Sequence, residues 1–172
     1  MLDASVKDIF LVMLDEMDSK LSSYSEQISS SPYSIHQLLT LASIVELEAG
    51  SSHERNGVAA VFYNRIRDGW TLGSDVTTYY ASRKDFTVDL TINELSECNA
   101  YNTRGTCFSG LPVGPISNPS IESIDGVMNP TSSDYYYFVA DKNGNTYFTK
   151  TDSEHQAVIS KLKSEGLWYV YE

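Results

Sequence analysis

The stretch Ile35-His-Gln-Leu-Leu-Thr-Leu-Ala-Ser-Ile-Val-Glu-Leu-Glu-Ala-Gly50 sets Ile35, Leu38, Leu39, Ala42 and Val45 inward at helical spacing. Ser34 stands in front as a cap, and Gly50 ends the run. After the turn Ser51-Ser52 a further helix runs through Val58, Val61, Phe62 and Ile66 until Asp68-Gly69 stops it. The two helices are expected to fold back on each other around Gly50 as a hairpin.

Upstream, Val6, Ile9, Phe10, Met13, Leu14, Met17 and Leu21 form one stripe with polar residues between, the pattern of an amphipathic helix. Ser22 to Ser34, rich in Ser, Tyr and Pro, reads as a connector. Downstream, periodicity fades from Trp70 to Pro119, and so long an irregular region is usually functional or mobile. A short helix is expected from Ile121 to Met128. Tyr135 to Val139 and Asn145 to Phe148 then flank Asn143-Gly144, a β-hairpin signal. Thr151 and Glu154 have capping-box spacing ahead of a last helix through Ala157, Val158 and Leu162. The expected class is α+β: a helical hairpin packed with further helices and a small antiparallel β-hairpin. The expected domains are 1–33, an amphipathic helix with its connector, and 34–172, the functional domain.

The chain has 172 residues, 41% of them hydrophobic and 20% charged, which suits one self-sufficient globular core. Its net charge of −11 repels polyphosphate backbones, so no nucleic-acid partner is expected. No apolar run reaches the roughly 18 residues that a membrane span requires, and no signal peptide opens the sequence. The chain therefore reads as soluble, or equally as the extracellular part of an anchored protein. Cys98 and Cys107 lie in a polar loop and either clip it as a disulfide or stand as two thiols. Without neighbouring histidines they make no zinc site, and neither a metal nor a cofactor is expected.

Phosphate loops, paired histidines at metal spacing and the Gly-x-Ser-x-Gly elbow are all missing. His36, His53 and His155 are scattered; His36 reads as a helix-surface residue and His53 as a solvated one. The uncommon feature is the pair Glu46 and Glu48 at the end of an apolar helix. At 100° per residue their side chains diverge by about 200°, so they cannot share one cleft. Glu48 follows Ile44 and Val45 by four and three residues and borders the buried stripe, where desolvation would raise its pKa toward general-acid use. Periodicity alone reads both as ordinary helix-surface charges, the more common case.

Several segments in order resemble one family. They are Ala42-Ser-Ile-Val-Glu-Leu-Glu48-Ala, Glu54-Arg55 with Val61-Phe-Tyr-Asn-Arg65, Ser74-Asp75-Val-Thr77, Tyr101-Asn-Thr103, Gly110-Leu-Pro-Val-Gly-Pro115 with Asn118-Pro119, Tyr136-Tyr-Phe-Val139 and Glu154-His155. From about Leu38 to Leu162 the chain resembles the catalytic region of the MltG/YceG-like endolytic murein transglycosylases. Val76 and Gly73 depart from the family pattern, and the Cys98/Cys107 loop is an elaboration of its own.

The resemblance implies that Glu48 is the catalytic acid/base and Glu46 a supporting or surface residue. The expected reaction is lytic cleavage of the bond between N-acetylmuramic acid and N-acetylglucosamine in peptidoglycan, leaving a 1,6-anhydro end. Asp75, Thr77, Tyr101, Asn102 and Thr103 are the expected sugar contacts, with loop-stabilising hydrogen bonds as the alternative for each. Arg55, Asn64 and Arg65 are expected as buried scaffold, and Tyr135 to Tyr137 as part of the hairpin. The implied partners are glycan strands and peptidoglycan synthases. The implied setting is the extracytoplasmic face of the bacterial membrane, reached through an anchor and preceding domain outside this sequence. Two alternatives stand: a muramidase-type hydrolase with Asp75 or Glu46 as base for water, and a non-catalytic glycan-binding module.

Overall fold

The computed structural model describes residues 4–50 and 54–168, so Ser51, Ser52 and His53 lie outside the described residues. The chain divides into two compact units, Met1–Ser34 and Ile35–Glu172. In the first, α1 (Val6–Leu21) opens with a capping box. The Ser5 hydroxyl accepts from the Asp8 backbone N–H, and the Asp8 carboxylate accepts from that of Ser5. None of α1 is buried; Val6, Phe10 and Met13 are exposed. The expected connector contains structure of its own, a 3₁₀ turn at Ser22–Tyr24 and α2 (Ser25–Ser30).

The second unit is built around α3 (Ile35–Glu48), α4 (Arg55–Arg67) and α7 (Ile121–Met128), which pack on one another. Ile44, Val45, Val58, Val61, Phe62, Ile124 and Val127 are buried between them. The inward stripe expected for α3 is corrected at its start, because Ile35 is exposed. Beyond it burial is nearly all-round, from Thr40 to Val45, since α4, α7 and the helix Asp75–Ser82 all touch this helix. Buried Ser43 is satisfied accordingly. Its hydroxyl donates to Thr40 O at 2.7 Å and accepts from Ile116 N at 3.0 Å, tying the 110–117 segment to α3. The α4–α7 crossing is close: a Cβ on Gly126 would stand 2.9 Å from Arg55 Cβ and 3.0 Å from its carbonyl carbon.

The region read as irregular holds two helices, α5 (Asp75–Ser82) and α6 (Ile92–Ser96). At 8 and 5 residues they are too short for periodicity to register. Cys98 and Cys107 form a disulfide with Cα atoms 5.7 Å apart, which decides between the two cysteine readings. Strands β1 (Tyr137–Ala140) and β2 (Thr146–Thr149) pair antiparallel with Phe138 opposite Phe148. Their connection is a five-residue loop rather than a tight turn on Asn143-Gly144. The Asp141 carboxylate gathers it by accepting from the N–H groups of Asn143 and Asn145, both at 2.9 Å. Helix α8 (Asp152–Ser164) starts at the expected Thr151/Glu154 capping box and packs against both strands.

Gly126→Ala forces a methyl group into the backbone of α4. Urea unfolding should show a loss of about 1–3 kcal/mol, the usual cost of overpacking a tight contact; unchanged stability would mean that the crossing yields.

Candidate active site

Glu46 and Glu48 leave α3 in different directions, as their spacing requires, and meet opposite environments. Glu46 Oε2 accepts from Ser120 N–H at 2.8 Å, Ser120 Oγ at 2.5 Å and Ser123 Oγ at 2.7 Å; Arg55 Nη2 donates to Oε1 at 3.4 Å. Burial alone would raise its pKa. The Ser120 and Ser123 hydrogen bonds and the Arg55 charge outweigh burial and hold the pKa below the ordinary value. Glu46 is thus a fixed carboxylate that caps and anchors α7.

Glu48 is the last residue of α3 and lies in the wall of a cleft of about 720 Å³. Among the described residues its Oε1 accepts a single short hydrogen bond, from Ser74 Oγ at 2.5 Å. Burial pushes its pKa up and the nearby Asp75 charge adds to the rise, while the Ser74 bond and the Arg104 and Arg65 charges oppose it; the net direction is upward. A carboxyl raised this way holds its proton further toward neutral pH and can deliver it to a bound leaving group.

Other cleft walls are Arg65, Trp70, Asp75, Arg104, Tyr137 and His155. Arg65, expected as scaffold, serves both purposes. Its guanidinium donates to the carbonyls of Leu72 and Tyr136, and it lies 5.6 Å from the Tyr137 ring centre. Arg104 Nε holds Asp75 Oδ1 at 2.6 Å. His155 stacks on Tyr137 at 5.4 Å, and its buried Nδ1 has no hydrogen-bond partner among the described residues. Burial lowers the His155 pKa, with the Arg65 charge acting in the same direction. Among the described residues no group of three or more His, Cys, Asp or Glu side chains is placed to hold a metal ion.

Of the expected sugar contacts, only Asp75 lines this cleft. Thr77, Asn102 and Thr103 are corrected to internal struts, since all three are buried and use their polar atoms on one another's surroundings. The Thr77 and Thr103 hydroxyls bond at 2.8 Å, Thr103 Oγ1 accepts from Ser74 N–H at 3.1 Å, and Thr77 Oγ1 donates to Ser74 O at 2.7 Å. Asn102 Nδ2 donates to the carbonyls of Glu94, Leu95 and Glu97, and its Oδ1 accepts from Thr78 Oγ1 at 2.7 Å. The loop spanned by the disulfide is therefore the support that aims Ser74 at Glu48. Tyr101 pairs with Tyr80 at 4.8 Å in a different hollow. His36 is exposed, as expected, and bonds Val113 O at 2.9 Å. Asn64 is buried, as expected, with its amide donating to Ser133 O and Tyr135 O.

Known proteins resemble this chain over most of its length. A curated relative from Bacillus subtilis (strain 168) named endolytic murein transglycosylase is 36% identical over 162 residues, covering 94% of this chain and 44% of that protein. One of the same name from Streptococcus pneumoniae serotype 2 is 32% identical over 167 residues, covering 91% of this chain and 29% of that protein. The chain thus spans less than half the length of these relatives. The crystal structure of a yceG-like protein from Listeria monocytogenes superposes with a TM-score of 0.83 at 36% identity, covering 91% of this chain and 50% of that one. The sequence profile described as the YceG-like family matches residues 2–161. On that match and on the shared fold, the chain belongs to the YceG-like family.

Proposed function

We propose that the chain is the catalytic region of a lytic murein transglycosylase and that Glu48 is its acid/base. The observation that carries this reading is a half-buried carboxyl of raised pKa in the wall of a cleft, with one hydrogen-bond donor among the described residues fixing its orientation. Glu48 protonates the glycosidic oxygen as the bond from the muramoyl anomeric carbon breaks. It then accepts the proton of that sugar's 6-hydroxyl, whose oxygen forms the new bond to the same carbon. The products are a 1,6-anhydro end and a free hydroxyl, and no water is consumed. Arg65 and Arg104 supply positive charge beside Glu48 in its carboxylate form.

A hydrolase needs a second carboxylate free to activate water. Asp75 and Asp152 both line the cleft; Asp75, the one whose charge acts on Glu48, is engaged by Arg104 at 2.6 Å. Glu46 is bound by serines on another face of α3. Both arrangements favour the sugar's own hydroxyl as nucleophile. The names of the relatives support glycan strands as substrate. We extend the reading to an extracytoplasmic location, an anchor elsewhere in the full protein and peptidoglycan synthases as partners. Among the described residues no helix is long and apolar enough to cross a membrane.

Digestion of purified peptidoglycan followed by mass analysis should give anhydro-muramoyl ends; reducing ends would transfer the site to hydrolysis. Glu48→Gln should lower the rate at least about a hundredfold, the low end of general acid–base contributions. Its stability should not suffer. Because the folded-state pKa of Glu48 is raised, the ionised group disfavours folding above the unfolded-state pKa, fully so above the folded one, and not below both. Gln removes that term, so the melting temperature at neutral pH should hold or rise.

As the acid, Glu48 must start protonated, so activity falls as pH rises through its pKa. Asp75→Asn removes a repelling charge and releases Arg104, and both changes lower the Glu48 pKa. The alkaline limb of kcat against pH should shift to lower pH, and a shift upward would overturn this electrostatic assignment.

A further inference from the structure

A second hollow, of about 590 Å³, opens beside Leu47, the residue before Glu48. Two ring pairs line it, Tyr80 with Tyr101 at 4.8 Å and Tyr79 with Phe86 at 4.9 Å. Tyr80 and Phe86 nevertheless remain 43% and 56% exposed. Apolar ring surface left in water inside a concavity is surface that a ligand can cover. Arg83, an exposed residue, also lines the hollow. It is the one non-glycine residue among the described ones held at positive φ, 52°, where the chain turns out of α5.

A pyranose ring matches these walls: its C–H faces lie against aromatic rings, and its hydroxyl and acetamido oxygens accept hydrogen bonds from a guanidinium. Helix α5 fixes the position relative to the site of cleavage. Asp75 in its first turn lines the Glu48 cleft, and Tyr79, Tyr80 and Ala81 near its other end line the hollow. The four to six residues of helix between them set the two walls about 6–9 Å apart.

We propose that this hollow is a second glycan subsite, which binds a sugar ring of the same strand at a distance from the bond that Glu48 cuts. The proposal rests on the glycan reading of the Glu48 cleft. Its consequence is a preference for strands long enough to reach both hollows.

The test uses the Glu48→Gln chain, which holds strands without cutting them, and glycan strands stripped of their peptide stems. Titration followed by aromatic NMR should move the ring signals of Tyr80 and Phe86. Adding Tyr80→Ala and Phe86→Ala should weaken binding of long strands about tenfold, while disaccharide binding holds. Unmoved rings, or equal losses for long and short fragments, would overturn the subsite. A response to stem-bearing strands alone would also overturn it, because the hollow would then read peptide. The NMR arm needs neither ring variant, so misfolding of the double variant leaves the answer intact. Failure of the unmodified chain to produce anhydro ends would sink the activity instead, and the ring signals would still report whether sugar binds.

Discussion

The hydrogen bond from Ser74 to Glu48 joins the end of a buried helix to a loop far along the chain, and both the site and its support are arranged around it. A carboxyl group taken out of water must be neutral, paired or bonded. Among the described residues Glu48 has one donor and lies within the field of two guanidinium groups, which leaves its proton transferable. Ser74 is itself held through Thr77 of α5 and Thr103, and Thr103 lies in the loop closed by the Cys98–Cys107 bridge. Orientation of one proton is thus spread over two helices, a disulfide and a set of buried hydroxyls.

Two glutamates two residues apart show how environment rather than residue type assigns a role. Glu46 meets three donors on one oxygen and an arginine on the other, and its pKa falls. Glu48 meets burial and a neighbouring negative charge, and its pKa rises. Pairs of carboxyls pushed apart in this way are the usual mark of divided labour between anchoring and chemistry. The same helix therefore fixes α7 with one side chain and presents an acid with the next but one.

Much of this was legible from local signals. The α3–α4 pair, α7 and α8 were marked by apolar spacing, terminating glycines and a capping box, and the separation of Glu46 from Glu48 followed from helix geometry. Features set by tertiary contact were not. Thr77, Asn102 and Thr103 are polar residues among other polar residues, which reads as surface, yet they satisfy one another's neighbourhood and are buried. Arg65 and His155 reach the cleft only because the hairpin and α8 fold back onto it. Ser74 stood at the head of a segment that resembles the family, but its bond to Glu48 was not legible, because it caps a helix too short to be read.

Arg65 has a consequence for how the site responds to its substrate. With one nitrogen donating to the carbonyl of Leu72 and another to that of Tyr136, the guanidinium has no free swing. Its positive charge is aimed when the chain folds, not when a ligand arrives. A dipole or charge already in place needs no reorganisation at the moment of reaction, and that is where much of an enzyme's advantage over water lies. The same two bonds close the chain around residue 72 and the entry to β1. Any exchange of Arg65, even for lysine, would therefore be felt as lost fold before it could be measured as lost chemistry.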